Sequence, residues 1–257
     1  MLKIYVLALL MLVGNLNASP VQRIMGGAAT SIEMYPFATP LLRTMDFRTY
    51  VQTCAGTILT KAALLTAAHC IYGENPNRWR FRVGSTFASS EGLVYDISNF
   101  ILHSKYNLRT YDNDVAIIKS HSTILLGGGV IEVATVAGAN YRIADNQPVW
   151  AIGWGSTSFG GQKSESLRHV QVWTVNQYTC RCRYADLGLR AVTDNMLCAG
   201  WLDVGGRDQC QDDAGGPLLH NDIVVGIVSW GHRCGLPRYP GVYTRLSSFN
   251  DWIALNS

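Results

Sequence analysis

The sequence predicts a β-rich fold of many short strands joined by glycine-rich turns, and three observations carry that expectation. The 257-residue chain is 48% hydrophobic and only 15% charged, enough apolar surface for a substantial core in one or two compact units. Its 25 glycines suit the tight turns between such strands. Val170 to Val175 alternates apolar and polar residues, as a strand with one buried face does.

The elements follow in order. Met1 to Ala18 reads as a secretory signal: Lys3 gives the positive start, Ile4 to Val13 the apolar run, and Ala18 a small residue at a cut site. The run is too short to anchor in a bilayer. The mature chain is therefore expected to be soluble, secreted and extracellular, with no membrane partner. A net charge of +3 without a basic run gives no footprint for nucleic acid. Seven cysteines in an exported chain point to disulfides, and none sits at zinc spacing, so no metal and no cofactor is expected. Around Ser85 to Glu91 only Glu91 and Glu74 are available, too few oxygens for calcium. Sixteen of the 21 basic residues are arginines, a bias that fits either an alkaline compartment or simple codon usage.

Specific motifs then recur along the chain. Arg23 precedes Ile24-Met25-Gly26-Gly27, and Cys54 is followed by Thr66-Ala67-Ala68-His69-Cys70. Asp114 opens the apolar run Val115-Ala116-Ile117-Ile118, with Asp112 as a competing acid. Beyond these lie Gly153-Trp154-Gly155, Cys180-Arg181-Cys182 and Met196-Leu197-Cys198-Ala199-Gly200. The stretch Asp208-Gln209-Cys210-Gln211-Asp212-Asp213-Ala214-Gly215-Gly216-Pro217 is followed by Ser229-Trp230-Gly231 and Gly241-Val242-Tyr243. At the end, Phe249, Trp252 and Ile253 fall on one face of a helix.

Taken together these motifs resemble the trypsin-like serine proteases, nearest to the insect digestive trypsins, across essentially all of Ile24 to Ser257. The resemblance implies an all-β fold of two packed antiparallel six-stranded β-barrels with a short C-terminal helix. It implies a signal peptide over 1–18, an activation propeptide over 19–23 and a protease domain over 24–257, with the boundary between barrels near 130–140. Cutting after Arg23 would free the Ile24 ammonium to pair with Asp213, since an unpaired buried charge costs several kcal/mol. His69 and Asp114 fill the places of the general base and of the acid that orients it. Asp208 would stand at the base of a pocket for Arg or Lys, walled by Ser229, Gly231 and Gly241. The implied disulfides are Cys54 with Cys70, Cys180 with Cys198 and Cys210 with Cys234, leaving Cys182 unpaired.

The loop departs from the family at two places. Ala214 stands where the family has its nucleophilic serine, and Asp212 where it has an oxyanion-hole glycine. Alanine has no oxygen to form an acyl-enzyme. A carboxylate at 212 would oppose a developing oxyanion, on backbone that suits glycine. The expectation is therefore a non-enzyme: a monomeric inactive homologue binding Arg- or Lys-bearing peptides or protein protease inhibitors. The alternative is a trypsin-like serine endopeptidase cleaving after Arg or Lys, with the two substitutions an artefact of the sequence or with another nucleophile.

Overall fold

The computed structural model describes residues 25–257 except Leu189. The expected signal segment and activation propeptide, with Arg23 and Ile24, lie outside the described residues.

A two-residue strand, β1 (Ala28–Ala29), leads into the first closed barrel. Its strands are β2 (Ala38–Thr44), β3 (Tyr50–Thr60), β4 (Ala63–Thr66), β5 (Trp79–Val83), β6 (Leu93–Leu102) and β7 (Ala116–Ser120). Every pairing is antiparallel, in the order β2-β3-β4-β7-β6-β5, and β2 pairs with β5 to close it. The reason is legible in β5: Trp79, Phe81 and Val83 are buried while Arg80 and Arg82 face outward.

The second barrel uses β8 (Pro148–Gly153), β9 (Arg168–Val175), β10 (Met196–Gly200), β11 (Pro217–His220), β12 (Ile223–Trp230) and β13 (Gly241–Arg245). Its order is β9-β10-β13-β12-β11-β8, closed by β8 on β9, and β1 adds to the outer side of β9. Between β11 and β12 a two-residue turn places Asn221 and Asp222 at φ of 50° and 61°. Both values lie in the left-handed region that a tight hairpin requires and that Asn and Asp tolerate. Two closed antiparallel six-stranded barrels were the expected fold.

Between the barrels an apolar cluster joins Leu65 and Ile117 of the first to Ile152, Trp154, Leu219 and Ile227 of the second. Helix α1 (Ala68–Ile71) is a single turn after β4, and α2 (Gln177–Ala185) bridges β9 and β10. The C-terminal helix α3 (Asn250–Asn256) puts Phe249 and Ile253 into that cluster, with Trp252 beside them. The expected face is there, although Phe249 stands just ahead of the helix rather than inside it.

Disulfides join Cys54 to Cys70, Cys180 to Cys198 and Cys210 to Cys234, and the Cys182 thiol is exposed on α2. Under non-reducing conditions a maleimide should therefore label Cys182 alone, at one thiol per chain. Because Cys182 is exposed, Cys182→Ser is expected to alter stability by less than about 0.5 kcal/mol. A labelled Cys180 or Cys198 in peptide mapping would contradict this pairing.

Candidate active site

The cleft between the barrels is built around one buried carboxylate. His69 sits on the single turn of α1, held by the neighbouring Cys54–Cys70 bridge to β3. Asp114 stands just ahead of β7 with no exposed surface. The backbone N–H of His69 donates to Asp114 Oδ1 at 2.8 Å, and His69 Nδ1 lies 2.7 Å from Oδ2. Ser229 Oγ donates to the same Oδ2 at 2.5 Å. Thr244 Oγ1 donates to the Asp114 carbonyl at 2.7 Å. With Nδ1–H given to the carboxylate, the neutral imidazole presents an Nε2 lone pair, which can take a proton. The competing acid is occupied elsewhere: Asp112 accepts from Thr193 Oγ1 at 2.7 Å and from Asn195 Nδ2 at 3.1 Å. Ser229, expected as a pocket wall, thus also orients the acid.

His69 and Ala214 line a single open cleft of about 510 Å³. The loop carrying Ala214 is seated on the first barrel. Ala55 N donates to the Ala214 carbonyl at 2.8 Å. Gly215, at φ +81°, is so tightly enclosed that a Cβ would lie 2.2 Å from Thr66 Oγ1. The side chain at 214 is a methyl group, so the cleft holds a base without an adjacent hydroxyl.

Asp212 keeps the expected glycine-like backbone and gains a partner that the sequence did not show. Its φ is +71°, so the backbone keeps the left-handed shape that glycine would take, at a cost of roughly 1–2 kcal/mol. Its carboxylate does not stand uncompensated: Lys163 Nζ lies 3.2 Å from Asp212 Oδ1 and donates to the Gln52 carbonyl at 2.6 Å. Gln52 Nε2 donates to the Asp212 carbonyl at 2.7 Å. This knot ties β3, the 154–167 loop and the 212 turn together. Among the described residues the N–H groups of Asp212 and Ala214 donate to no protein acceptor.

Asp208 lies against the Gly241 segment, behind the residues that line the cleft. It is 3% exposed; Oδ2 accepts from Gly235 N at 2.9 Å and Oδ1 has no partner. Burial pushes its carboxyl up to about 8. The need for glycine differs between the walls. A Cβ at Gly241 would lie 2.8 Å from Asp208 Oδ1, whereas at Gly231 the nearest atoms are in ordinary contact at 3.5 Å or more. The amide of Gln209 sits between the walls, its Nε2 placed 3.1 Å from a Cβ at Gly241 and 3.7 Å from one at Gly231. Gln209 lines the cleft, whereas Asp208 does not, and the motifs gave no reason to single Gln209 out.

Asp213 is buried behind the loop. Its Oδ1 accepts from Gly155 N at 2.7 Å and its Oδ2 from Cys210 N at 2.9 Å, and burial raises its carboxyl to about 7. The chain from Met25 onward is docked against the pocket, with Asp208 N donating to the Met25 carbonyl at 3.2 Å.

Two closed barrels with a His–Asp pair in the cleft between them define a chymotrypsin-fold hydrolase scaffold. The trypsin family profile matches residues 24–253, and the chain belongs to the trypsin family. It is 55% identical to "Trypsin CFT-1" of Choristoneura fumiferana over 92% of this chain and 91% of that protein. It is 55% identical to "Trypsin, alkaline B" of Manduca sexta over 95% and 94%. To "Achelase-1" of Lonomia achelous it is 52% identical over 80% and 95%. These likenesses correct the expectation of a non-enzyme. Relatives sharing more than half their residues over nine-tenths of the chain bear the name trypsin, which points to an enzyme.

The Asp208 carboxyl gives a pH signature. A guanidinium or amidinium requires the ionised form, so below about 8 each binding event must expel a proton. Affinity for p-aminobenzamidine is expected to fall about tenfold per pH unit below that point, and Asp208→Asn should abolish both binding and slope. An affinity that stays flat from pH 6 to 9 would count against this assignment.

Proposed function

We propose that this protein is a secreted trypsin-class peptide hydrolase that acts after Arg or Lys and in which water takes the nucleophile's place. The observation that carries the reading is the His69–Asp114–Ser229 network, intact and facing a cleft whose residue 214 leaves room where a hydroxyl would be. His69 Nε2 takes a proton from a water as its oxygen attacks the carbonyl carbon. The oxyanion accepts hydrogen bonds from the N–H groups of Asp212 and Ala214. The carbon–nitrogen bond then breaks as His69 returns the proton to the leaving amine, giving a carboxylic acid and an amine. Without a covalent intermediate the rate is low: triad hydrolases lacking one member retain on the order of 10³–10⁴-fold over the uncatalysed reaction. The Lys163 ammonium beside Asp212 supports the reading, because it offsets the charge that would oppose the oxyanion. The apolar leader and the disulfides support an extracellular setting.

Turnover of an activated arginyl ester tests this. Wild type should exceed His69→Ala clearly, and Ala214→Ser should exceed wild type by several orders of magnitude. Equal rates for wild type and His69→Ala would end the proposal. On the Ala214→Ser background, adding Lys163→Met should lower kcat more than it changes KM. Asp212→Gly on that background should remove the dependence on Lys163, because the carboxylate being offset is gone.

Activation is part of the same reading. A cut after Arg23 gives Asp213 the Ile24 ammonium as its partner. Until then Asp213 has a folded pKa of about 7, above its unfolded value, so its contribution to stability is present at low pH and lost as pH rises through about 7. The uncut chain should therefore lose stability between about pH 4 and 7 more steeply than Asp213→Asn does, and cutting should flatten the wild-type curve. Identical pH curves before and after the cut would refute the pairing.

A further inference from the structure

Two guanidinium groups on the cleft are held by aromatic rings instead of by carboxylates. Arg190 Cζ lies 4.1 Å from the ring centre of Tyr111 and 5.8 Å from that of Trp230. Tyr111 in turn stacks on His69, with ring centres 5.0 Å apart and planes 16° from parallel. The Nε of Arg190 donates to the Arg109 carbonyl at 3.1 Å, which fixes the side chain across the cleft. Arg233, exposed on the same cleft, has its Cζ 5.5 Å from the Phe159 ring centre. Among the described residues neither forms an ion pair, although seven other cationic side chains, His69 included, do so.

That arrangement has a chemical meaning. A carboxylate partner would both orient a guanidinium and cancel its charge. An aromatic face orients it while leaving the charge and the outward N–H donors in place. Because Trp230 is next to Gly231 and lines the same cleft as Arg190 and Arg233, a peptide whose Arg or Lys enters beside Gly231 brings its neighbouring residues within reach of these groups. From these contacts we infer that Arg190, assisted by Arg233, is a specificity-determining pair for acidic side chains in the few residues before the cut. The substrate class is thus a peptide with Asp or Glu shortly ahead of its Arg or Lys. Each end of such a peptide meets opposite charge, and a uniformly basic peptide is disfavoured.

This inference rests on the proposed Arg/Lys pocket, so its test reads binding without turnover. N-acetylated tetrapeptide amides ending in Arg, with Glu or Gln at the preceding positions, are titrated against p-aminobenzamidine fluorescence. In wild type the glutamyl peptide should displace the probe at about tenfold lower concentration than the glutaminyl peptide. The preference should shrink in 0.5 M salt, disappear in the Arg190→Ala, Arg233→Ala double variant, and survive in part in Arg190→Lys. Probe binding by the double variant shows that its pocket is folded. Equal displacement by both peptides in wild type, or an unchanged preference in the double variant, overturns the inference. Failure of the probe to bind any form counts against the pocket alone. Direct titration of fluorophore-labelled glutamyl and glutaminyl peptides then decides the cationic pair, with equal affinities overturning it.

Discussion

Everything in the cleft depends on how Asp114 is solvated without water. It is carried by the first barrel, yet Ser229, which donates to its carboxylate, comes from β12 of the second, and Thr244 of β13 holds its backbone carbonyl. A buried carboxylate is tolerated only where enough donors converge on it, and here no single barrel supplies them. The catalytic geometry and the docking of the two barrels are thus one constraint. The orientation of His69 follows from it, because both the backbone and the ring of that residue are fixed to the same carboxylate.

The turn at Asp212 shows how a local rule can be broken and compensated nearby. The residue adopts a conformation suited to glycine, and its charge sits against a lysine from another loop. Lys163 is partly exposed, so the ion pair itself contributes little to stability. Its importance is positional, since it ties three segments together where an oxyanion would be held.

Much of this was legible in the sequence, for a physical reason. The His69 turn and the Asp114 strand are short motifs whose chemistry depends on immediate neighbours, and the structure brings the two together; the disulfide partners, 16 to 24 residues apart, came from the family resemblance instead. Gln209, Lys163 and Arg190 were not legible as site residues. Lys163 is 49 residues from Asp212, and Arg190 is 79 from Tyr111, distances that only the closure of both barrels removes. Side-chain charge alone gives no sign of whether an arginine will meet a carboxylate or an aromatic ring. The Lys163 partner of Asp212 was hidden for the same reason.

The enclosure of Gly215 bears on the order in which the molecule assembles. The loop bearing Ala214 belongs to the second barrel by chain position, but it is pinned between Ala55 and Thr66 of the first. Loops that must meet a distant surface close late, because the entropy of bringing remote segments together is recovered only when both surfaces exist. The cleft therefore has its shape only once both barrels are docked. A chain with both barrels formed but not yet joined would have its cores and no working site, which makes the hydrolytic centre a reporter of complete assembly.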